Sequence, residues 1–130
     1  QEAKRRTVQF VNLNHLEAME YFAIFNSGRE GISCLYEKSV PRVGRNDDLE
    51  RIDKVVSPGG SVLLGDAPEA GLTARGELHQ GLLDRGYSRI SIAAALEQQA
   101  ESAFEYVSAG DGTPTTPHYG WRMHGFRKRR

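Results

Sequence analysis

HLEAMEYFAIF (residues 15–25) reads as an amphipathic helix, and that assignment sets the order of everything around it. Leu16, Met19, Phe22 and Ala23 fall on one helical face. Asn14 stands before the run with Glu17 three residues on, the spacing of a capping box in which Asn14 accepts backbone donors and Glu17 reaches back. NSG (26–28) should end the helix, because Gly28 can take the left-handed conformation. On the N-terminal side TVQFVNL (7–13) is β-branched, aromatic and short, as a first strand would be. On the C-terminal side ISCLYEKSV (32–40) alternates Ile32, Cys34 and Tyr36 against Ser33, Leu35 and Glu37 before Pro41, and reads as a second strand.

Further along, RNDDLERIDKVV (45–56) has two readings: a short helix carrying Leu49, Ile52, Val55 and Val56, capped by Asp47 with Glu50, or an edge strand over 52–56. The helix is expected for its first half. SPGG (57–60) is a turn, since Pro58 fixes one backbone angle and the glycines permit positive ones. SVLLG (61–65) supplies a third strand, and GDAPEAG (65–71) a surface loop. TARGELHQGLLDRG (73–86) places Leu78, Leu82 and Leu83 on a helix ended by Gly86, with Gly76 and Gly81 weakening it. From Ser88 a longer helix is expected, with Ile92, Leu96, Gln99, Ala103 and Val107 at helical spacing. The pattern predicts a mixed α/β or α+β fold, a small sheet of about three or four strands with helices packed on it. Residues 1–107 are expected to form a single compact α/β domain, and 108–130 a Gly/Pro/Thr-rich linker with a basic, aromatic C-terminal arm.

The 130 residues suit one domain, and 38% hydrophobic with 26% charged residues is the balance of an ordinary globular chain. No apolar run approaches the roughly 20 residues that cross a bilayer, so no membrane association is expected. A chain that opens on Gln1 is expected to continue upstream. The one cysteine, Cys34, has no internal disulfide partner and points to a reducing compartment, with burial as its expected fate. The net charge of zero conceals an arrangement: 3 basic residues against Glu2 in the first six, 5 basic and no acidic residues in the last thirteen, and 9 basic against 16 acidic in the 111 between. Polyanions would be drawn to the ends and repelled by the body, although solvated tails account for the same layout.

Little in the chain speaks for catalysis. The phosphate-loop pattern is absent, and SPGGSVLLGD has no lysine after its glycines. A lone cysteine excludes multi-cysteine zinc sites, and His118 and His124, six apart, carry no ligand spacing; no metal and no cofactor are assigned. Asp47, Asp48, Glu50 and Asp53 could gather a hard cation, but helix capping and a solvated face explain them more simply. No serine stands in a nucleophile turn, and Cys34 with His15 or His79 would need spatial coincidence. The expectation is therefore a non-enzymatic protein, with a small enzyme of unknown class as one alternative.

The end of the chain, HYGWRMHGFRKRR (118–130), is the stronger functional signal. Arg122, Arg127, Lys128, Arg129 and Arg130 could contact the phosphates of a nucleic acid, while Tyr119, Trp121 and Phe126 could stack on unpaired bases. The competing reading is that these aromatics anchor an arm that folds back on the body, adds a strand, or crosses to a second copy and makes a homodimer. LLDRGYSRISIAAALEQQAESAFEYV (82–107) is similar to the bacterial helix-turn-helix, which supplies another alternative, a DNA-binding regulator with Ala103 to Val107 in the recognition helix. Glu97, Gln98 and Gln99 stand where the turn belongs, and they favour a continuous helix.

In its size, its mixed α/β body and its basic end GWRMHGFRKRR (120–130), the chain resembles the small accessory proteins of the polymerase-containing inner capsid of cystoviruses, the double-stranded RNA bacteriophages. The resemblance implies a homodimeric cofactor of viral assembly and RNA packaging. It also implies contact with single-stranded or double-stranded RNA, with the viral polymerase or with a capsid protein as partner, in the virion inner capsid or the bacterial cytoplasm.

Overall fold

A computed structural model describes residues 7–11, 19–39, 45–66, 71–110 and 122–130. Its elements are β1 (Thr7–Val11), β2 (Met19–Asn26), β3 (Ile32–Ser39), α1 (Arg45–Val55), β4 (Ser61–Asp66), α2 (Gly71–Asp84), β5 (Ser88–Ile90), α3 (Ile92–Leu96), α4 (Glu101–Gly110) and β6 (Arg122–Arg127). Among the described residues the six strands make one sheet in the order β1-β3-β2-β4-β6-β5, parallel at β1–β3 and antiparallel elsewhere. The mixed α/β class is as the sequence predicts, but the sheet has six strands where three or four were expected.

The first of the additional strands is β2. The predicted helix over 15–25 is instead a strand from Met19 onward, while Asn14 and Glu17 of the expected cap lie outside the described residues. Tyr21, Ala23 and Phe25 point to one side of the sheet and Phe22 and Ile24 to the other, all fully or almost fully buried. A strand buried on both faces shows a continuous apolar run, and so short a run satisfies a helical period equally well. The choice falls to the partners: β2 is flanked by β3 and β4, which satisfy its backbone on both edges.

The second is β6. Residues 122–127 form a strand inserted between β4 and β5, and so belong to the body; of the rest of the arm expected over 108–130, residues 108–110 end α4, 128–130 follow the strand, and 111–121 lie outside the described residues. Phe126 is fully buried beside Val62, its register partner. The third is β5, where a helix was expected to begin. The predicted long helix also divides, into α3 and α4, because polar groups pull residues 97–100 onto the strand ends. Gln99 Nε2 donates to the Ser61 carbonyl and hydroxyl, Ser33 Oγ accepts from the Ala100 amide, and Asn26 Nδ2 donates to the Gln98 carbonyl.

The core has two layers. Leu49, Ile52 and Val56 from α1 and its end, with Leu78 and Leu82 of α2, pack on the Tyr21–Phe25 side; Ala95 of α3 and Ala103 of α4 pack on the Phe22–Ile24 side. The edge-strand reading of 52–56 is thereby settled as helix through Val55, with Asp47 and Asp48 in the first turn rather than Asp47 at the cap. Gly86, at φ +93°, closes α2 as expected, with its amide donating to the Leu83 carbonyl and that of Tyr87 to the Leu82 carbonyl.

The two glycines inside α2 have different roles. A Cβ at Gly81 would lie 2.2 Å from Leu49 Cδ1, so the missing side chain is what lets α1 approach; a Cβ at Gly76 would meet nothing within 4 Å. Gly76→Ala should therefore raise stability by about 0.5–1 kcal/mol through helix propensity alone. Gly81→Ala should lower it despite the same propensity gain. Urea unfolding of both variants checks the opposite signs.

Candidate metal centre

Alternation along the strands places Leu64 and Asp66 of β4, and His124 and Phe126 of β6, on the side of the sheet that α1 and α2 cover. Leu64 is in register with His124, so Asp66 lies diagonally across from that imidazole. α2 crosses above and delivers His79, one residue after the buried Leu78. Three residues far apart in sequence thus converge: Nε2 of His79 and Nε2 of His124 each lie 3.5 Å from Oδ2 of Asp66. The candidate ligand atoms are all within 4.8 Å of one another.

Burial makes this arrangement costly as it stands. Asp66 is 3% exposed and His79 7%, while the His124 side chain is 27% exposed. Neither carboxylate oxygen of Asp66, nor Nε2 of His79, has a hydrogen-bond partner among the described residues. A buried carboxylate without hydrogen bonds costs several kcal/mol. The two imidazoles are held edge to face, centroids 4.2 Å apart, and Phe126 meets the His79 ring at 5.4 Å and backs it.

A neighbouring carboxylate shows the contrast. Tyr21 is in register with Asp66, yet its hydroxyl donates to Asp48 Oδ2, and the Tyr36 hydroxyl donates to Asp48 Oδ1. Asp48 is fully buried with a hydroxyl on each oxygen, and Arg51 lies 5.9 Å from the Tyr36 ring centroid. Burial pushes the Tyr36 phenol above its ordinary range, with Arg51 opposing. Asp48 is a structural carboxylate, and Asp66 is not supplied in that way.

The acidic residues of α1 do not gather as a cation site. Asp47 and Glu50 are exposed, Asp48 is taken by the tyrosines, and Asp53 accepts from the Tyr87 hydroxyl and lies 3.3 Å from Lys128 Nζ. Cys34 is buried on β3 opposite Phe25, its thiol pushed up by burial, whereas His79 meets Asp66 and His124; His15 lies outside the described residues.

The residues expected at a nucleic-acid contact are dispersed. Arg122 is exposed at the start of β6, in register with Asp66. Arg127 is half-buried opposite Ser61 and Ser88. Lys128 donates to the carbonyls of Asp53 (2.7 Å) and Val56 (2.9 Å) and so caps the end of α1. Arg129 and Arg130 are exposed. Phe126 has no face open to a base, and Tyr119, Trp121 and His118 lie outside the described residues. The helix-turn-helix alternative has its break where the motif needs one, but α3 is only five residues long, and Ala103 and Val107 of α4 pack on the sheet.

Asp66, His79 and His124 share no spacing that marks a site in the sequence, and the six-residue interval from His118 to His124 carries no ligand pattern. The available signal was alternation: in RMHGFR, His124 shares a face with Phe126, and in VLLGD, Asp66 shares one with Leu64. Comparison with known proteins finds no matching family model, no similar curated protein and no similar solved structure.

Two tyrosines supply a pH dependence. Burial, followed by the hydrogen bond to Asp53 and its charge, pushes the Tyr87 phenol far above its ordinary value; Tyr36 is raised by burial. The fold favours the neutral phenols, so their contribution is complete below about pH 10 and is lost as pH rises beyond it. Urea midpoints between pH 8 and pH 11 should fall above pH 10, and less steeply for Tyr87→Phe.

Proposed function

We propose that this chain is a metalloprotein whose Asp66, His79 and His124 hold one divalent transition cation of the zinc type. The observation that carries the reading is the buried Asp66 carboxylate, lacking hydrogen-bond partners among the described residues and approached by two imidazole nitrogens at 3.5 Å. Bonds of about 2.1 Å to a tetrahedral ion put neighbouring ligand atoms about 3.4 Å apart. The separations at Asp66 suit an ion between the groups better than hydrogen bonds among them. Nitrogen and oxygen ligands in this ratio suit zinc, iron, cobalt or nickel rather than magnesium or calcium.

Three protein ligands, the number found among the described residues, leave a coordination position open, as catalytic zinc sites do and structural ones do not. His124 is the least buried of the three, its side chain 27% exposed, and would give a bound cation contact with solvent. Such a cation polarises a bound oxygen or brings a bound water to ionise near neutrality, which makes hydrolysis the favoured reaction type. The role of the chain is to hold the three ligands on separate rigid elements, with Phe126 fixing the His79 ring.

The expected result is binding of one zinc or cobalt ion per chain by calorimetry, weakened more than about 100-fold by Asp66→Asn or His79→Ala. Binding that survives both substitutions would remove the reading.

A second reading keeps the accessory role: a homodimer, or an associate of a viral polymerase or capsid protein, touching RNA through basic C-terminal residues. It is favoured by the exposure of Arg129 and Arg130, and by a cleft of about 470 Å³ that Arg130 and Arg29 share. Single-stranded RNA binding across a salt series is its test. Replacing Arg129 and Arg130 by alanine should lower the log–log salt slope by about 1.4, and an unchanged slope would exclude these residues as the contact.

A further inference from the structure

Resting on the metal reading above, we infer that the centre takes a phosphate dianion as its ligand, bound jointly by the cation and by Arg122. The register places Arg122 directly across from Asp66, two residues from His124 and on the same side of β6. Directly opposed Cβ atoms lie about 5 Å apart, so an arginine at this position is long enough to reach a ligand held at the centre. Exposure increases from Asp66 to His124 to Arg122, so the arginine is the solvent-exposed neighbour of the least buried member of the centre.

Charge selects the ligand. A divalent cation with one carboxylate and two neutral imidazoles keeps about one unit of positive charge, and Arg122 adds about one more. A dianion neutralises both, whereas a carboxylate leaves one uncompensated. The guanidinium's planar fork also matches two phosphate oxygens while a third meets the metal. Arg122 makes no ion pair among the described residues that would occupy it. The remaining basic residues of the chain end lie elsewhere: Arg127 is on the other face of β6, Lys128 caps α1, and Arg129 and Arg130 lie beyond the opposite end of β6.

The test loads the full chain with Co²⁺, follows its visible absorption, and titrates inorganic phosphate into the wild type, Arg122→Gln and Arg122→Lys. Expected is a phosphate-dependent spectral change whose affinity falls roughly 10- to 100-fold in Arg122→Gln, with unchanged Co²⁺ affinity, and recovers partly in Arg122→Lys. Phenyl phosphate and a 5′-phosphorylated oligonucleotide then separate the sources. Equal affinities mark a small ester and tighter binding of the oligonucleotide marks a strand end, and both support a phosphate ligand. Co²⁺ binding with no response to phosphate, or with an equal response in Arg122→Gln, overturns the inference and leaves the metal centre standing. No Co²⁺ binding by the wild type overturns both.

Discussion

The pairing of β6 with β4 is the constraint on which the rest of the molecule depends. It brings residues 122–127 into the sheet between β4 and β5, gives β5 its strand neighbour among the described residues, and sets His124 beside Asp66. It also continues past the strand: the Gly59 amide donates to the Lys128 carbonyl, and the Lys128 amide to that of Gly60. Lys128 then reaches the end of α1, so one segment ties sheet, turn and helix together. Phe126 supplies the apolar part of the attachment, fully buried among residues of β4, α1 and α2. The basic residues of this segment consequently divide between scaffold and surface, although in sequence they form a single run.

Two buried carboxylates under the same pair of helices show how the fold separates structure from chemistry. Asp48 receives hydroxyls from Tyr21 and Tyr36, which link α1 to β2 and β3. Asp66 faces two imidazoles and takes no hydrogen bond from any described residue. Burial has the same cost for both anions, and only the first is met by neutral donors. The second is met by groups that serve equally well as ligands of a cation. The position of Tyr21 in register with Asp66 sharpens the contrast, since its hydroxyl is directed to the other acid.

Much of the fold was legible where local chemistry and tertiary partners agree. β3 alternates, α1 and α2 carry apolar residues at helical spacing, and Gly86 ends α2 as a left-handed glycine should. The failures have specific causes. YFAIF is apolar at every position, which suits a central strand and a buried helix alike, and β3 and β4 decide between them. Residues 88–107 have a helical period interrupted by side-chain hydrogen bonds from Ser33, Ser61 and Asn26, residues at least 34 positions from those they hold. RMHGFR has a polar residue, His124, beside its glycine, an arginine at each end and three further cations after it, and these obscure a strand's alternation. The candidate centre was the least legible feature, because Asp66, His79 and His124 share no motif spacing.

By itself the sequence determined the mixed α/β class, most of the helices, the turn glycines and the separation of an acidic body from basic ends. These follow from local backbone preference and from charge, which each residue carries wherever it lies. Only the tertiary structure decided that β2 is a strand, that β6 runs through the sheet, and that one aspartate and two histidines meet. Those outcomes depend on which backbone edges are open to pair and on which side chains share a face after pairing, and both are properties of the assembled sheet.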